Sequence, residues 1–289
     1  MDAADHLIAL LTLLPAAAVD GAQSFLGHSL LDRPRVFGGQ FLAQGLIAAA
    51  ATVSTPGRLP HSLRASFLRP GDPQENILYR VEVLRDGRSF SSRQVTAYQR
   101  NVRCYEATMS FCDGEGGLDY QLAAGDAMPT PPECHVEYAD WVLDTTSDAA
   151  FRTQLRGRIR LIEMRYVNPP PNPADGPITE TQRMWLRVAG ALPDDPLLHL
   201  AAIAYASDET LVDNALLPHG MRWFDSRVQG ASLDHAMWFC RPARADHWML
   251  YDQTVVSTFG GRGLVQGDLR TEAGELVAIT TQEGLIRVT

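Results

Sequence analysis

The chain has no lysine: all 25 of its basic residues are arginine. That excludes a Schiff-base or pyridoxal-phosphate enzyme and a Walker-A ATPase, each of which needs a lysine. Cysteines are few. Cys104, Cys112, Cys134 and Cys240 show no C-x-x-C spacing, so they read as free thiols in a reducing, cytoplasmic setting. No apolar run reaches the ~18 residues of a membrane span, and the start, M-D-A-A-D, lacks the basic stretch of a secretory signal. The eight histidines are scattered without ligand spacing, so no metal and no cofactor is expected. A net charge of −9 argues against nonspecific nucleic-acid binding. Local arginine clusters can still take the phosphates of a small anionic ligand.

What the chain does have, it has twice. S-L-R-A-S-F-L-R-P-G-D (62–72) and L-D-H-A-M-W-F-C-R-P-A (233–243) both carry Phe-x-Arg-Pro. R-S-F-S-S-R (88–93) is answered by S-T-F-G-G-R (257–262), and E-A-T-M-S-F (106–111) by V-A-I-T-T-Q-E (277–283). Three blocks in one order indicate a duplicated β-rich unit. The division is residues 1–112 for the first copy, 113–135 for a Gly- and Pro-rich linker and 136–289 for the second.

Periodicity fills in the elements. A short helix is expected at 4–15, and a buried one, apolar nearly all round, at 41–53. Strands are expected at 62–68, 77–86, 90–99 and 102–112. In the second copy a helix is expected at 137–153, strands at 159–167 and 181–188, and a second apolar helix at 197–206. An insertion at 209–230 precedes strands at 231–239, 248–257, 263–270 and 276–286. Each copy reads as one buried helix wrapped by an antiparallel sheet, and pairing the copies covers their open edges. The Pro-rich loop 168–177 lies between two of these strands.

V-F-G-G-Q (36–40), F-L-R-P-G-D (67–72), L-R-D-G-R-S-F (84–90), Y-A-S-D (205–208), L-D-H-A-M-W-F (233–239) and V-A-I-T-T-Q-E-G (277–284) occur in that order. Together they resemble the acyl-CoA thioesterase II (TesB-type) family, from about residue 31 to 287. The resemblance implies an α+β double hotdog and hydrolysis of fatty acyl-CoA. It also implies that Asp208, Ser232 and Gln282 jointly hold the attacking water. Ser232 stands where bacterial members often carry Thr, which keeps the hydroxyl.

The residues are compatible with that chemistry. Thioester hydrolysis needs an activated water, a group that orients it and donors for the oxyanion. Asp208 follows the apolar helix 197–206, an end where the dipole disfavours a carboxylate. Gln282 interrupts an apolar-and-threonine strand, and the gapless repeat alignment sets it against Phe111, so one site per chain is expected. Gly38 and Gly39 offer backbone N–H groups at a helix start. His61 and His235 occupy near-equivalent places and are candidate substrate contacts with Gly38 and Gly39. The substrate is a small-molecule acyl-CoA, and a homo-oligomer is expected.

Other readings stay open. D-D-P-L-L-H (194–199) has the Asp–His spacing of a hotdog R-specific enoyl-CoA hydratase, but Asp194 or Asp195 as an N-cap before Pro196 explains it equally. A non-catalytic acyl-CoA-binding protein is the other alternative. G-A-S-L-D (230–234) lacks the last glycine of a nucleophile elbow.

Overall fold

The computed structural model describes residues 2–19, 21–125, 127–170 and 176–289. The centre of the Pro-rich loop expected at 168–177 therefore lies outside the described residues. The first copy contains α1 (Ala3–Leu11), β1 (Leu14–Val19), β2 (Ala22–Gly27), α2 (Gly38–Ala50), β3 (Leu59–Phe67), β4 (Ile77–Asp86), β5 (Phe90–Gln99) and β6 (Val102–Cys112). Then come β7 (Val136–Glu137), α3 (Tyr138–Thr145), α4 (Ala149–Gly157), β8 (Ile162–Tyr166), β9 (Gln182–Val188) and α5 (Pro196–Ala206). A 3-10 turn at Val212–His219 leads to β10 (Val228–Ser232), β11 (Asp234–Phe239), β12 (Met249–Phe259), β13 (Arg262–Thr271) and β14 (Leu276–Val288).

The strands form one 14-stranded sheet in the order β1-β2-β4-β5-β6-β3-β11-β14-β13-β12-β9-β8-β7, with β10 on β14. Its centre is the antiparallel pairing of β3 with β11, where Ser66 faces Asp234 and Ser62 faces Trp238. On either side of that line the strand order is mirrored. α2 and α5 lie inside, packed on each other. Every α5 residue from Leu198 to Ala206 is buried, which is why its sequence has no polar face. Gly39 sits where the helices touch; a Cβ there would come within 2.3 Å of the Tyr205 carbonyl oxygen. Each half is a helix wrapped by an antiparallel sheet, and the whole is the α+β double hotdog that the resemblance implies.

Several local expectations are corrected. The first helix stops at Leu11, and β1 begins at Leu14 with Pro15 as its second residue, facing Phe25 of β2. The helix expected at 137–153 is two, because Asp148 caps a new start by accepting the N–H groups of Ala150 and Phe151 at 2.9 Å each. The strand expected at 231–239 is split at Leu233 into β10 and β11, so Ser232 ends a strand rather than starting one.

The copies also register differently from the gapless alignment. Leu68 and Arg69 N–H groups both donate to the Cys104 carbonyl, and Cys240 and Arg241 N–H groups both donate to that of Val277. These twin bonds match Cys104 with Val277, so Gln282 corresponds to Met109 and not to Phe111. By the same register His235 corresponds to Leu63 and not to His61. The stretch between the paired points is one residue longer in the second copy, which a gapless comparison cannot show.

Candidate active site

Asp208 lies two residues beyond α5, and its side chain is only 3% exposed. Gln282, fully buried in β14, donates from Nε2 to Asp208 Oδ1 at 2.6 Å and to Ser232 Oγ at 2.8 Å. The three candidate residues of the sequence thus form one bonded cluster, and Asp208 and Ser232 line a cavity of about 760 Å³.

The dipole argument that singled out Asp208 resolves in tertiary structure. The carboxylate leaves the unfavourable C-terminus of α5 and meets the N-terminus of α2. Asp208 Oδ2 occupies the space a Gly38 Cβ would need, 2.5 Å away. The N-terminal turn of a helix favours an anion. Burial nonetheless dominates and pushes the Asp208 pKa up to about 7, the Gln282 amide, the Gly39 backbone N–H and Arg33 working against it and Glu209 with it. A carboxylate near 7 is suited to accept a proton at neutral pH. Asp213, also on the cavity wall, is pushed well up by burial, but neither Gln282 nor Ser232 bonds it.

Among the described residues, the first copy has no such cluster. Helix-end hydrogen bonds match Thr52 with Asp208: Thr52 N–H reaches Ala49 O as Asp208 N–H reaches Tyr205 O. Thr52 is engaged by Arg93, whose Nε donates to its hydroxyl at 2.7 Å and whose Nη2 donates to its carbonyl at 3.0 Å. Arg93 is fully buried and also pairs with Asp86 at 2.9 Å. It faces Met109 across β5 and β6 as Val265 faces Gln282 across β13 and β14.

The four candidate substrate contacts separate. Gly38 is on the cavity wall, and the Gly39 N–H acts on Asp208. His235 is fully buried behind the site, Nδ1 3.9 Å from Asp208 Oδ1. His61 belongs elsewhere: its Nε2 is 2.8 Å from Ser110 Oγ and its ring packs edge-on against Phe90, away from the cavity wall. The register shift between Pro60 and Ser62 makes His61 the extra residue of a bulge, which turns it away from the inner face that Leu63 and Ala65 occupy.

Sequence reasoning missed the aromatic wall opposite. Tyr138 and Trp141 of α3, Phe151 of α4 and Phe224 line the cavity, and Phe151 and Phe224 ring centroids are 5.4 Å apart. The i, i+3 spacing of Tyr138 and Trp141 was the available signal. The Arg33–Glu209 pair at 2.7 Å was also missed.

The competing strings have structural occupations. Asp195 caps α5, accepting the Leu197 N–H at 2.9 Å, Asp194 pairs with Arg244, and His199 Nδ1 accepts the Ala245 N–H. None is on the cavity wall. Among the described residues, Ser232 Oγ is bonded by Gln282 and not by a histidine, so the arrangement for a serine nucleophile is absent. Also among the described residues, no helix is long and apolar enough to cross a membrane.

Comparison with known proteins agrees with the fold. The family model described as acyl-CoA thioesterase matches residues 159–285, and that described as acyl-CoA thioesterase N-terminal domain matches residues 31–112. The chain is 37% identical to human acyl-coenzyme A thioesterase 8 over 90% of its own length and 83% of that protein's. It is 36% identical to acyl-CoA thioesterase 2 of Haemophilus influenzae over 98% of both. The crystal structure of an acyl-CoA thioesterase II, TesB2, from Mycobacterium marinum superposes with a TM-score of 0.76 at 35% identity, covering 98% of each chain.

Proposed function

Because the chain belongs to the acyl-CoA thioesterase II (TesB-type) family and hydrolyses acyl-CoA thioesters, we propose that Asp208, Ser232 and Gln282 hold and activate the water that attacks. The observation that carries this is the two-way donation of Gln282 to the Asp208 carboxylate and the Ser232 hydroxyl at the wall of the cavity. Asp208 accepts a proton as the water oxygen bonds to the thioester carbon. The carbonyl oxygen takes negative charge beside the N–H of Gly38, in the first turn of α2, where a helix supplies N–H groups no intrahelical partner. The carbon–sulfur bond then breaks, and the proton passes to the departing CoA thiolate. The products are a free fatty acid and CoA. The aromatic wall formed by α3, α4 and Phe224 suits the acyl chain.

Assembly with copies of the chain belongs to the same reading, supported by the edge strand β1, which leaves Leu14 63% exposed. So does a cytoplasmic setting, supported by four cysteines that are all free.

Two tests follow from the site. Asp208 works as a base only when ionised, so kcat/KM should rise with pH through a limb near the carboxylate's raised value of about 7. A profile flat between about pH 5 and 9 would remove Asp208 as the base. Ser232 contributes its hydroxyl, so Ser232→Thr should keep activity while Ser232→Ala loses about tenfold, of the order of one hydrogen bond to a reacting group. Thiol release measured across acyl-CoAs of increasing chain length reads both. An Ala variant as active as wild type would leave Ser232 a structural hydroxyl.

A further inference from the structure

We propose that His235 is a positioning residue: with its proton on Nδ1, the neutral ring fixes the Gln282 amide so that the oxygen faces the imidazole and the N–H groups face Asp208 and Ser232. The inference rests on the roles proposed above for those three residues.

An amide can be turned end for end at little steric cost, and only one orientation donates to a carboxylate. Gln282 spends its Nε2 on Asp208 and Ser232, which leaves Oε1 fully buried with no hydrogen bond. His235 Nδ1 is in the same condition. The two residues are neighbours across β11 and β14, next in register after Ala236 and Thr281. Two buried groups without partners, one an acceptor and one able to donate, satisfy each other in this arrangement. The far side of the ring is anchored as well, Nε2 lying 3.1 Å from Ser207 Oγ. The single Ser207 hydroxyl proton has two acceptors in reach, the Ala204 carbonyl at 2.9 Å and His235 Nε2 at 3.1 Å. Given to Ala204, it puts the ring proton on Nε2 and leaves both Nδ1 and Gln282 Oε1 unpaired; given to Nε2, it puts the ring proton on Nδ1 and lets those two buried atoms pair. Burial pushes the His235 pKa down to about 4, the Gln282 amide opposing, so the ring is neutral at neutral pH.

The first copy supplies an independent observation. By the register established above, Ser207, His235, Gln282 and Asp208 correspond to Ala51, Leu63, Met109 and Thr52. Leu63 and Met109 face each other directly and are fully buried. The same cross-strand pair is therefore apolar in the copy without the cluster and polar in the copy with it. Ser207, whose only counterpart is an alanine, is added with them. Burying such a chain of polar groups costs stability unless all are paired, so packing alone does not account for it.

The tautomer decides the matter without any substitution. Nitrogen-15 NMR of the labelled wild-type protein should show His235 neutral with its proton on Nδ1; a proton on Nε2 overturns the proposal, because Nδ1 could then only accept. Kinetics give the second test. His235→Phe should lower kcat about 10–100-fold, the usual cost of losing a partner that orients a site residue, with KM little changed. His235→Asn, which keeps an N–H near the Nδ1 position, should restore most of it. In a Gln282→Ala background His235→Phe should cost nothing further, since there is no amide left to orient. An equal fold loss in both backgrounds overturns the proposal while leaving the roles of Asp208, Ser232 and Gln282 intact. Full activity of Gln282→Ala by itself overturns those roles and the proposal together.

Discussion

The Asp208→Asn protein is expected to fold and to hydrolyse acyl-CoA about 10²–10⁴-fold more slowly than the wild type, the usual range for loss of a general base. Asn has the shape of Asp and can still accept from Gln282, so the cluster survives while the proton acceptor is gone. Stability should move the other way. The folded-state pKa of Asp208, about 7, lies above the ordinary aspartate value of about 3.9. Between those values the native state binds more protons than the unfolded one, so the wild type loses stability as pH rises through that window. Asn has no charge to desolvate. Above pH ~7 the variant should therefore be the more stable of the two, by a few kcal/mol at most on a scale of about 1.4 kcal/mol per pKa unit. Denaturant melts across pH read the stability and thiol release reads the rate. A folded Asp208→Asn protein with full activity would end the mechanism.

Gln282→Glu should be the other severe change. It puts a second carboxylate in a fully buried position whose amide lies 2.6 Å from Asp208 Oδ1. Two buried carboxylates at that distance do not both ionise; they share a proton. The donor that orients Asp208 and Ser232 is also lost. Activity at neutral pH should fall about 10²–10³-fold, as when a preorganised donor is removed. The pair's folded-state pKa is raised above the unfolded value of about 4, so the variant's stability deficit should be absent below about pH 4. It should grow as pH rises through the window between the two values and be complete above the folded one. Melts at about pH 4 and about pH 8 distinguish this from simple misfit, which would give the same deficit at both.

The sequence carried much of this. The apolar helices, the long hairpin strands and the duplication were readable because burial imposes a period and because Phe-x-Arg-Pro recurs. Asp208, Ser232 and Gln282 came from the family resemblance, with Asp208 also marked by its unfavourable place after α5. What the sequence left hidden depends on pairs distant in the chain. The N-terminus of α2 as the seat of the Asp208 carboxylate requires α2 against α5, separated by more than a hundred residues. The match of Gln282 to Met109 depends on a one-residue difference within the hairpins, which only the twin bonds to Cys104 and Val277 carbonyls reveal. His61 looked equivalent to His235, yet the residue matched to His235 is Leu63, and a bulge between Pro60 and Ser62 turns His61 to the other face. The strand β1 was hidden by an Ala-rich segment with a proline, which has little β propensity.

The central claim is that water attacks the thioester directly, with Asp208 as its base and not as a nucleophile that carries the acyl group. Mass spectrometry of products and enzyme after a single turnover in ¹⁸O-water tests it. Direct attack predicts one ¹⁸O atom in the free fatty acid and none in the peptide that contains Asp208; ¹⁸O in the Asp208 carboxylate, or an acyl group attached to it, would contradict the account.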